Sequence, residues 1–160
     1  KQWLTATFDA ETQTEIQDLI NNNPSDLADR FYKNMEFGTG GMRGIMGAGT
    51  NRINKYTLGR ATQGLSNYLI DNVKKEQLSV VIAFDCRHNS KKFAKVVADV
   101  LSANNIKVFL FEDLRATPEL SFAVRHLNCD AGIVLTASHN PPEYNGYKVY
   151  WQDALTAFHL

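Results

Sequence analysis

Residues 135–148 read Leu-Thr-Ala-Ser-His-Asn-Pro-Pro-Glu-Tyr-Asn-Gly-Tyr-Lys, and the rest of the chain is arranged around this segment. The apolar run 131–135 that leads into it is short enough to be a buried strand. The proline pair at 141–142 stiffens the backbone and removes two N–H donors, while the Asn-Gly pair at 145–146 is a strong turn signal. Strand-forming residues then resume. The sequence therefore predicts a strand, a rigid polar loop with Ser138 at its tip, and a returning strand.

Hydrophobic periodicity predicts the remaining elements. Helices and strands alternate, which predicts an α/β fold with a mixed, mostly parallel sheet between two layers of helices. Because the last strand returns directly, we expect it to be antiparallel, at an edge of the sheet. The predicted helices are 10–22, 26–35, 56–73, 91–103 and 117–127, and the predicted strands are 79–84, 106–111, 131–135 and 147–151, after a strand-turn segment at 47–54.

Short polar side chains mark the expected helix starts. Asp9 (or Thr7), Ser25 and Ser90 are placed to cap the first, second and fourth helices, since their oxygens can accept from the free N–H groups of the first turn. The run 117–119, Thr-Pro-Glu, supplies a cap, a proline and an acidic residue for the fifth. We expect the helical N-terminal segment 1–36 to pack against the sheet as scaffold.

Composition narrows the classes of function. The 160 residues carry 17 basic and 17 acidic side chains, so the basic excess of most nucleic-acid-binding proteins is missing. No apolar run approaches the length of a membrane span, and the start of the chain lacks a signal-peptide pattern. We therefore expect a cytoplasmic protein with neither nucleic-acid nor membrane partners. Cys86 and Cys129 are expected to be buried reduced thiols rather than a disulfide.

Two further segments have features of anion-binding sites. Four glycines lie within residues 38–44, where they can bring backbone N–H groups close to an anion, and Arg43 adds a planar donor suited to phosphate. Arg87 follows the strand at 79–84, at the end of the sheet where α/β folds bind ligands. For Arg87, a phosphate contact and an ordinary ion pair with Asp85 both remain open.

These segments resemble one family. The run Thr-Ala-Ser-His-Asn-Pro at 136–141 is similar at every position to the phosphoserine loop of the α-D-phosphohexomutases, which include phosphoglucomutases and phosphomannomutases. The glycine-rich run 38–44 and the Asp-x-Arg-x-x-Ser run at 85–90 also resemble family motifs. The resemblance implies that residues 37–152 form domain I, the first of four domains. The atypical tail at 153–160 departs from the family pattern, as a truncated or engineered product would.

The resemblance also implies a chemistry. A hexose 1-phosphate and a hexose 6-phosphate are interconverted through a bisphosphorylated sugar, with Ser138 as the phosphoryl carrier and Lys148 as general acid/base. Mg²⁺ is implied between the phosphate on Ser138 and ligands in the second domain, so the remaining domains and the sugar phosphates are the expected partners. The other implied site residues are His139 and Arg43 as catalytic groups, and Arg43, Arg87 and Asn140 as phosphate contacts.

Other functions stay open at this stage. A phosphopentomutase-type relative would share these motifs, and a non-catalytic phosphate-binding module would keep the basic loops without a reactive Ser138. A serine hydrolase using Ser138 and His139 is a third possibility, although the Gly-x-Ser-x-Gly signature is absent. The 160 residues alone are expected to fold and to lack mutase activity.

Overall fold

The computed structural model describes residues 2–38 and 41–153. Within them, five strands form one sheet. The strands are β1 (Met42–Ile45), β2 (Ser79–Phe84), β3 (Lys107–Leu110), β4 (Ala131–Leu135) and β5 (Tyr144–Trp151). The α-helices are α1 (Ala10–Asn22), α2 (Pro24–Phe31), α3 (Lys55–Asn72), α4 (Ser90–Ala103) and α5 (Thr117–His126), and a short 3₁₀ helix covers Gln2–Leu4.

The sheet is mixed, with the strand order β1-β5-β4-β2-β3. Strands β3, β2 and β4 are parallel, whereas β5 is antiparallel to both of its neighbours, β4 and β1. The predicted α/β fold and the antiparallel direction of β5 are confirmed. The predicted edge position of β5 is wrong, because the glycine-rich segment forms β1 and covers that edge. Residues 47–54 are mostly turns, with one bridge between Met46 and Ile53.

Helices cover both faces of the sheet and make it the middle of three layers. On one face, Leu58 and Leu65 of α3 and Val97 of α4 pack against strand residues such as Ile82 and Ile133. On the other face, α5 packs its buried residues against alternate positions of β2 and β4. All six residues of β2 are buried, which explains its continuous apolar sequence.

The Asn-Gly pair at 145–146 lies inside β5 and does not form a turn. The chain reverses earlier, where the N–H of Tyr144 donates to the carbonyl oxygen of Pro141 at 3.0 Å. Gly146 is needed for close approach: a Cβ atom there would lie 2.7 Å from the carbonyl oxygens of both Met42 and Thr136. The turn prediction failed because this glycine serves strand packing.

The N-terminal helices pack against the segment after β1. Ile16 and Leu19 of α1 form a cluster with Ala48. Asp9 is the N-cap of α1 as predicted, because its Oδ1 atom accepts from the N–H of Thr12 at 3.1 Å. The second helix, α2, is shorter than predicted and ends at Phe31. Leu27 and Phe31 of α2 also pack against the cluster of Ile16, Leu19 and Ala48.

Three predicted caps are wrong. Helix α5 begins at Thr117 itself, and its N-cap is Ala116. Helix α2 is capped by Asn23, whose side chain accepts from the N–H of Asp26. Helix α4 begins at Ser90 itself, and its N-cap is Asn89, with a left-handed φ of 62°. Ser90 is not the cap because it is already the first residue of the helix, and its hydroxyl donates to Oδ1 of Asp85 at 2.9 Å. The polar side chain at this helix start therefore belongs to a network at the end of β2.

Both cysteines are free thiols, Cys86 exposed and Cys129 buried. The expected burial of Cys86 is therefore wrong, and a disulfide between the two is excluded in this structure. None of the helices in the described part of the chain is long and apolar enough to cross a membrane.

Candidate active site

The loop after β4 presents Ser138 to solvent. Its N–H donates to Oγ1 of Thr136 at 2.9 Å, and the N–H of Asn140 donates to the carbonyl oxygen of Ala137 at 3.1 Å. Ser138 has a φ of 56°, a left-handed conformation that non-glycine residues rarely adopt. Strain of this kind persists only where surrounding contacts enforce it, and it concentrates at functional sites.

His139 lies beside the hydroxyl of Ser138. Its Nδ1 atom is 3.3 Å from Oγ of Ser138. Neighbouring side chains on an extended strand point apart, but the left-handed backbone of Ser138 breaks that alternation. The pair can therefore exchange a hydrogen bond, with the donor set by the histidine tautomer.

Arg43 is brought to the loop by strand pairing. It lies on β1 opposite Gly146 of β5, and its Nη1 atom donates to Oδ1 of Asn140 at 2.9 Å. Two of the residues that the sequence singled out are therefore in direct contact, although 97 positions of sequence separate them.

Lys148 lies on β5, opposite Val134 of β4. Burial, and then the positive charge of Arg43, lower the pKa of the Lys148 ammonium below its ordinary value. A lowered pKa raises the fraction of neutral amine near neutral pH, which a lysine general acid/base requires. Lys148 is half-buried, Arg43 is exposed, and the two cations lie on neighbouring strands, β5 and β1.

Arg87 contacts the backbone of the loop. Its Nη1 atom donates to the carbonyl oxygens of Pro141 and Tyr144, at 2.8 and 3.1 Å. Its Nη2 atom donates to those of Ser138 and Asn140, at 2.8 and 2.6 Å. Of the two roles that the sequence left open, the ion pair with Asp85 is present, with Nε 3.6 Å from Oδ2. The carbonyl contacts were not predicted, since no local pattern shows which distant carbonyl groups an arginine will meet.

Asn145 is a site residue that sequence reasoning missed. Its side chain is fully buried, and Nδ2 donates to the carbonyl oxygen of His88 at 3.1 Å and to Oγ of Ser90 at 2.9 Å. These bonds join β5 to the turn that follows β2. The Asn-Gly pair concealed this role, because the same two residue types favour turns.

The loop and the turn after β2 together line an open cleft of about 310 Å³. Both follow the carboxyl ends of parallel strands, where α/β sheets place ligands. The lining residues are Asp85, Cys86, Arg87, His88, Ser138, Asn140 and Pro142.

The implied Mg²⁺ does not fit the side chains of this chain alone. Among residues 2–38 and 41–153, no group of three or more His, Cys, Asp or Glu side chains could hold a metal ion. A phosphate on Ser138 would supply oxygen but no carboxylate, and Mg²⁺ in proteins is held by one or two carboxylates together with phosphate oxygens and waters.

The fold and site together define a three-layer α/β/α domain with an exposed serine in the loop after β4. A sequence profile described as phosphoglucomutase/phosphomannomutase, alpha/beta/alpha domain I, matches residues 34–159. The chain therefore belongs to the phosphoglucomutase/phosphomannomutase family and represents its domain I.

Individual relatives agree with this assignment. The chain is 42% identical over 147 residues to a phosphoglucomutase of Staphylococcus epidermidis, covering 91% of this chain and 27% of the relative. It is 47% identical over 131 residues to a phosphoglucomutase of Staphylococcus aureus, covering 81% and 23%. A crystal structure of a putative phosphomannomutase from Thermus thermophilus superposes with a TM-score of 0.71 at 34% identity, covering 78% and 27%. The chain thus spans about a quarter of the length of these relatives.

Proposed function

We propose that this chain is the phosphoserine domain of a hexose phosphate mutase, and that Ser138 carries the phosphoryl group. The observation that carries the proposal is the strained, exposed Ser138 at the tip of a loop that Arg43 contacts through Asn140. The substrates are a hexose 1-phosphate and a hexose 6-phosphate, and the intermediate is the sugar bisphosphate.

The proposed reaction has two transfers. A free hydroxyl of the sugar monophosphate attacks phosphorus and loses its proton, while the bond from phosphorus to Oγ of Ser138 breaks and Oγ takes a proton. In the second transfer the Ser138 hydroxyl attacks the other phosphoryl group of the bisphosphate and loses its proton, while the bond from that phosphorus to the sugar oxygen breaks and the sugar oxygen takes a proton. Lys148 supplies and accepts these protons, since its lowered pKa brings the neutral and charged forms closer in free energy.

Positive charge around Ser138 favours the transfer. A phosphoserine carries about −1.5 to −2 charges near neutral pH, and the transition state spreads charge over the three oxygens of the moving group. Arg43 and Lys148 place two cations on neighbouring strands, and His139 lies 3.3 Å from the carrier oxygen. Fixed charges of this kind stabilise the transition state without reorganising during the reaction.

The remaining expectations concern the parts of the relatives that this chain does not match. The family resemblance supports Mg²⁺ as cofactor and the cytoplasm as location, with further domains to hold and reorient the sugar. Positioning supplies most of the catalysis in phosphoryl transfer. We therefore expect the 160-residue chain alone to have no appreciable mutase activity.

The test is a chimera in which this chain replaces the matching segment of the Staphylococcus epidermidis phosphoglucomutase. With magnesium and a trace of glucose 1,6-bisphosphate, it is expected to convert glucose 1-phosphate to glucose 6-phosphate and to carry phosphate on the Ser138 peptide by mass spectrometry. Ser138→Ala should lower turnover on the order of 10⁴-fold or more. Ser102→Ala, an exposed serine on α4, is the matched control. Turnover by Ser138→Ala near that of the control would exclude Ser138 as carrier.

The contact between His139 and Ser138 fits a second candidate, a serine hydrolase. A histidine next to a serine hydroxyl can act as general base for a nucleophilic serine. A serine-directed phosphonate separates the candidates, because a hydrolase should be labelled at Ser138 and a mutase should not.

A further inference from the structure

All five N–H donors of the Arg87 guanidinium are directed at protein oxygens. The two Nη atoms carry four hydrogens and make four bonds, to the carbonyl oxygens of Ser138, Asn140, Pro141 and Tyr144. The fifth donor, Nε, faces Oδ2 of the Asp85 carboxylate at 3.6 Å. No N–H group of this side chain is left for a phosphate in this arrangement.

Arg87 is itself held in place by the turn after β2. Oδ1 of Asp85 accepts from the backbone N–H of Arg87 at 3.0 Å and from the hydroxyl of Ser90 at 2.9 Å. The side chain of Arg87 is 12% exposed. A guanidinium fixed at its base and bonded at its tip connects the end of β2 rigidly to the loop after β4.

The loop needs such a partner. Its two prolines have no N–H groups, so this part of the backbone cannot provide its own donors. Ser138 also has an unfavourable φ of 56°, and conformations of this kind persist only when neighbouring contacts enforce them. Charge-assisted bonds from a planar arginine are strong and directional, and four of them meet the backbone on both sides of the prolines.

We propose that Arg87 is a positioning residue that holds the Ser138 loop in its strained conformation by binding four backbone carbonyl groups, before any phosphate is present. Its catalytic consequence rests on the function proposed above, whereas its effect on the order of the loop does not. The role expected from the family resemblance, a direct phosphate contact, is thereby replaced by one that acts through Ser138.

Hydrogen exchange in a protein that cannot be phosphorylated tests this directly. With Ser138→Ala as background, adding Arg87→Gln is expected to speed exchange of the amides of residues 138, 140 and 144 on the order of tenfold or more. Amides of β2 and β4 should keep their rates. The same readout with Arg43→Gln, which removes a single side-chain contact to the loop, should change these rates much less.

Unchanged loop exchange in the Arg87→Gln protein would overturn the proposal, because a residue that only binds phosphate has no role in this background. If Arg87→Gln speeds exchange throughout the chain, the measurement is repeated with Arg87→Lys, which keeps the charge but loses the planar fork. Unchanged loop exchange in Arg87→Lys would then overturn the proposal. Loop-specific loosening supports the proposal in either variant.

The chimera measures the catalytic consequence. Arg87→Gln is expected to lower kcat about a hundredfold with KM for glucose 1-phosphate within about threefold, because a misplaced carrier slows transfer without removing sugar contacts. Arg125→Gln, an exposed arginine on α5, is the control. A raised KM with unchanged kcat would contradict the positioning role. If the unmodified chimera were inactive, the exchange result would still stand, so failure of the proposed function and failure of this inference are distinguishable.

Discussion

Arg43 donates a hydrogen bond of 2.9 Å from Nη1 to Oδ1 of Asn140, across 97 positions of sequence. The contact exists because β1 pairs with β5, which brings the glycine-rich segment alongside the serine loop. The same pairing places the charge of Arg43 close enough to Lys148 to disfavour its ammonium form.

Removing that neighbouring charge should alter the titration of Lys148. Arg43→Gln is expected to raise the pKa of Lys148, but to leave it below the ordinary value because burial is the larger cause of the lowering. The measurement is an NMR titration of the lysine ε-methylene resonance. Arg60→Gln, an exposed arginine on α3, should leave the titration unchanged. An equal shift in both variants would show that no specific interaction is involved.

Close packing between β1, β5 and the loop predicts a severe effect of a single methyl group. Gly146→Ala places a Cβ atom 2.7 Å from two carbonyl oxygens, and overpacking of this kind lowers the free energy of unfolding by about 1–3 kcal/mol, or more where backbone must shift. Urea denaturation measures it.

Gly64→Ala on α3 is the matched control, because no atom beyond the local helix backbone and the two neighbouring residues lies within 4 Å of the added Cβ. Alanine is the better helix former, so this variant should be stabilised by about 0.8–1 kcal/mol. Equal changes in the free energy of unfolding for the two substitutions would show that the close backbone approach at Gly146 does not affect stability.

Tyr147 should make the protein sensitive to alkali. Burial raises the pKa of Tyr147 well above its ordinary value of 10.0. Since the folded pKa is the higher one, its contribution is fully present below about pH 10 and is lost as the pH rises through the folded pKa. We expect the urea concentration at the midpoint of unfolding to decrease as the pH is raised from about 9.5 to about 11. The decrease should be smaller for Tyr147→Phe. If the urea midpoints of the parent protein and Tyr147→Phe decreased equally with pH, Tyr147 would not be the cause of the sensitivity to alkali.

Asp9 should make the N-terminal helices sensitive to acid. The ion pair with Lys55 at 2.8 Å, followed by the hydrogen bond from Tyr56, holds the pKa of the Asp9 carboxyl well below its ordinary value of 3.8. The stabilisation is therefore present above about pH 4 and is lost as the pH falls through the lower folded pKa.

Asp9→Asn tests this, because asparagine still caps a helix but cannot pair with Lys55. The variant should be less stable at pH 7 and lose less stability on acidification, measured by thermal unfolding from pH 7 to 2.5. Asp71→Asn, an exposed position on α3, should follow the parent protein.

The sequence predicted the buried strands well and the loop surroundings poorly. Strands β2 and β4 were evident because both faces are buried and the apolar runs are continuous. Asn145 and Gly146 were read as a turn because their local preference is correct for turns. Their actual roles, a buried amide and a close backbone approach, depend on His88 and Met42, which are far away in sequence.

The candidate active site shows the same contrast between features with a local sequence signal and features that depend on distant residues. The motif at 136–141 singled out Ser138, and the glycine-rich segment singled out Arg43, because both signals are local. The contacts of Arg87 could not be predicted, since backbone carbonyl groups are the same for every residue and leave no trace in the sequence. The order of the sheet, which brings these groups together, follows from long-range packing.

The left-handed φ of 56° at Ser138 also determines which residue selection would favour at this position. Glycine adopts this conformation freely, whereas other residues lose roughly 1–2 kcal/mol there. Mutation to glycine would thus be favoured by selection for heat resistance alone, yet it would delete the hydroxyl. A library of variants sorted only by thermal survival is expected to drift toward glycine at this position, and one sorted by the proposed mutase activity of the chimera should retain serine despite its lower stability.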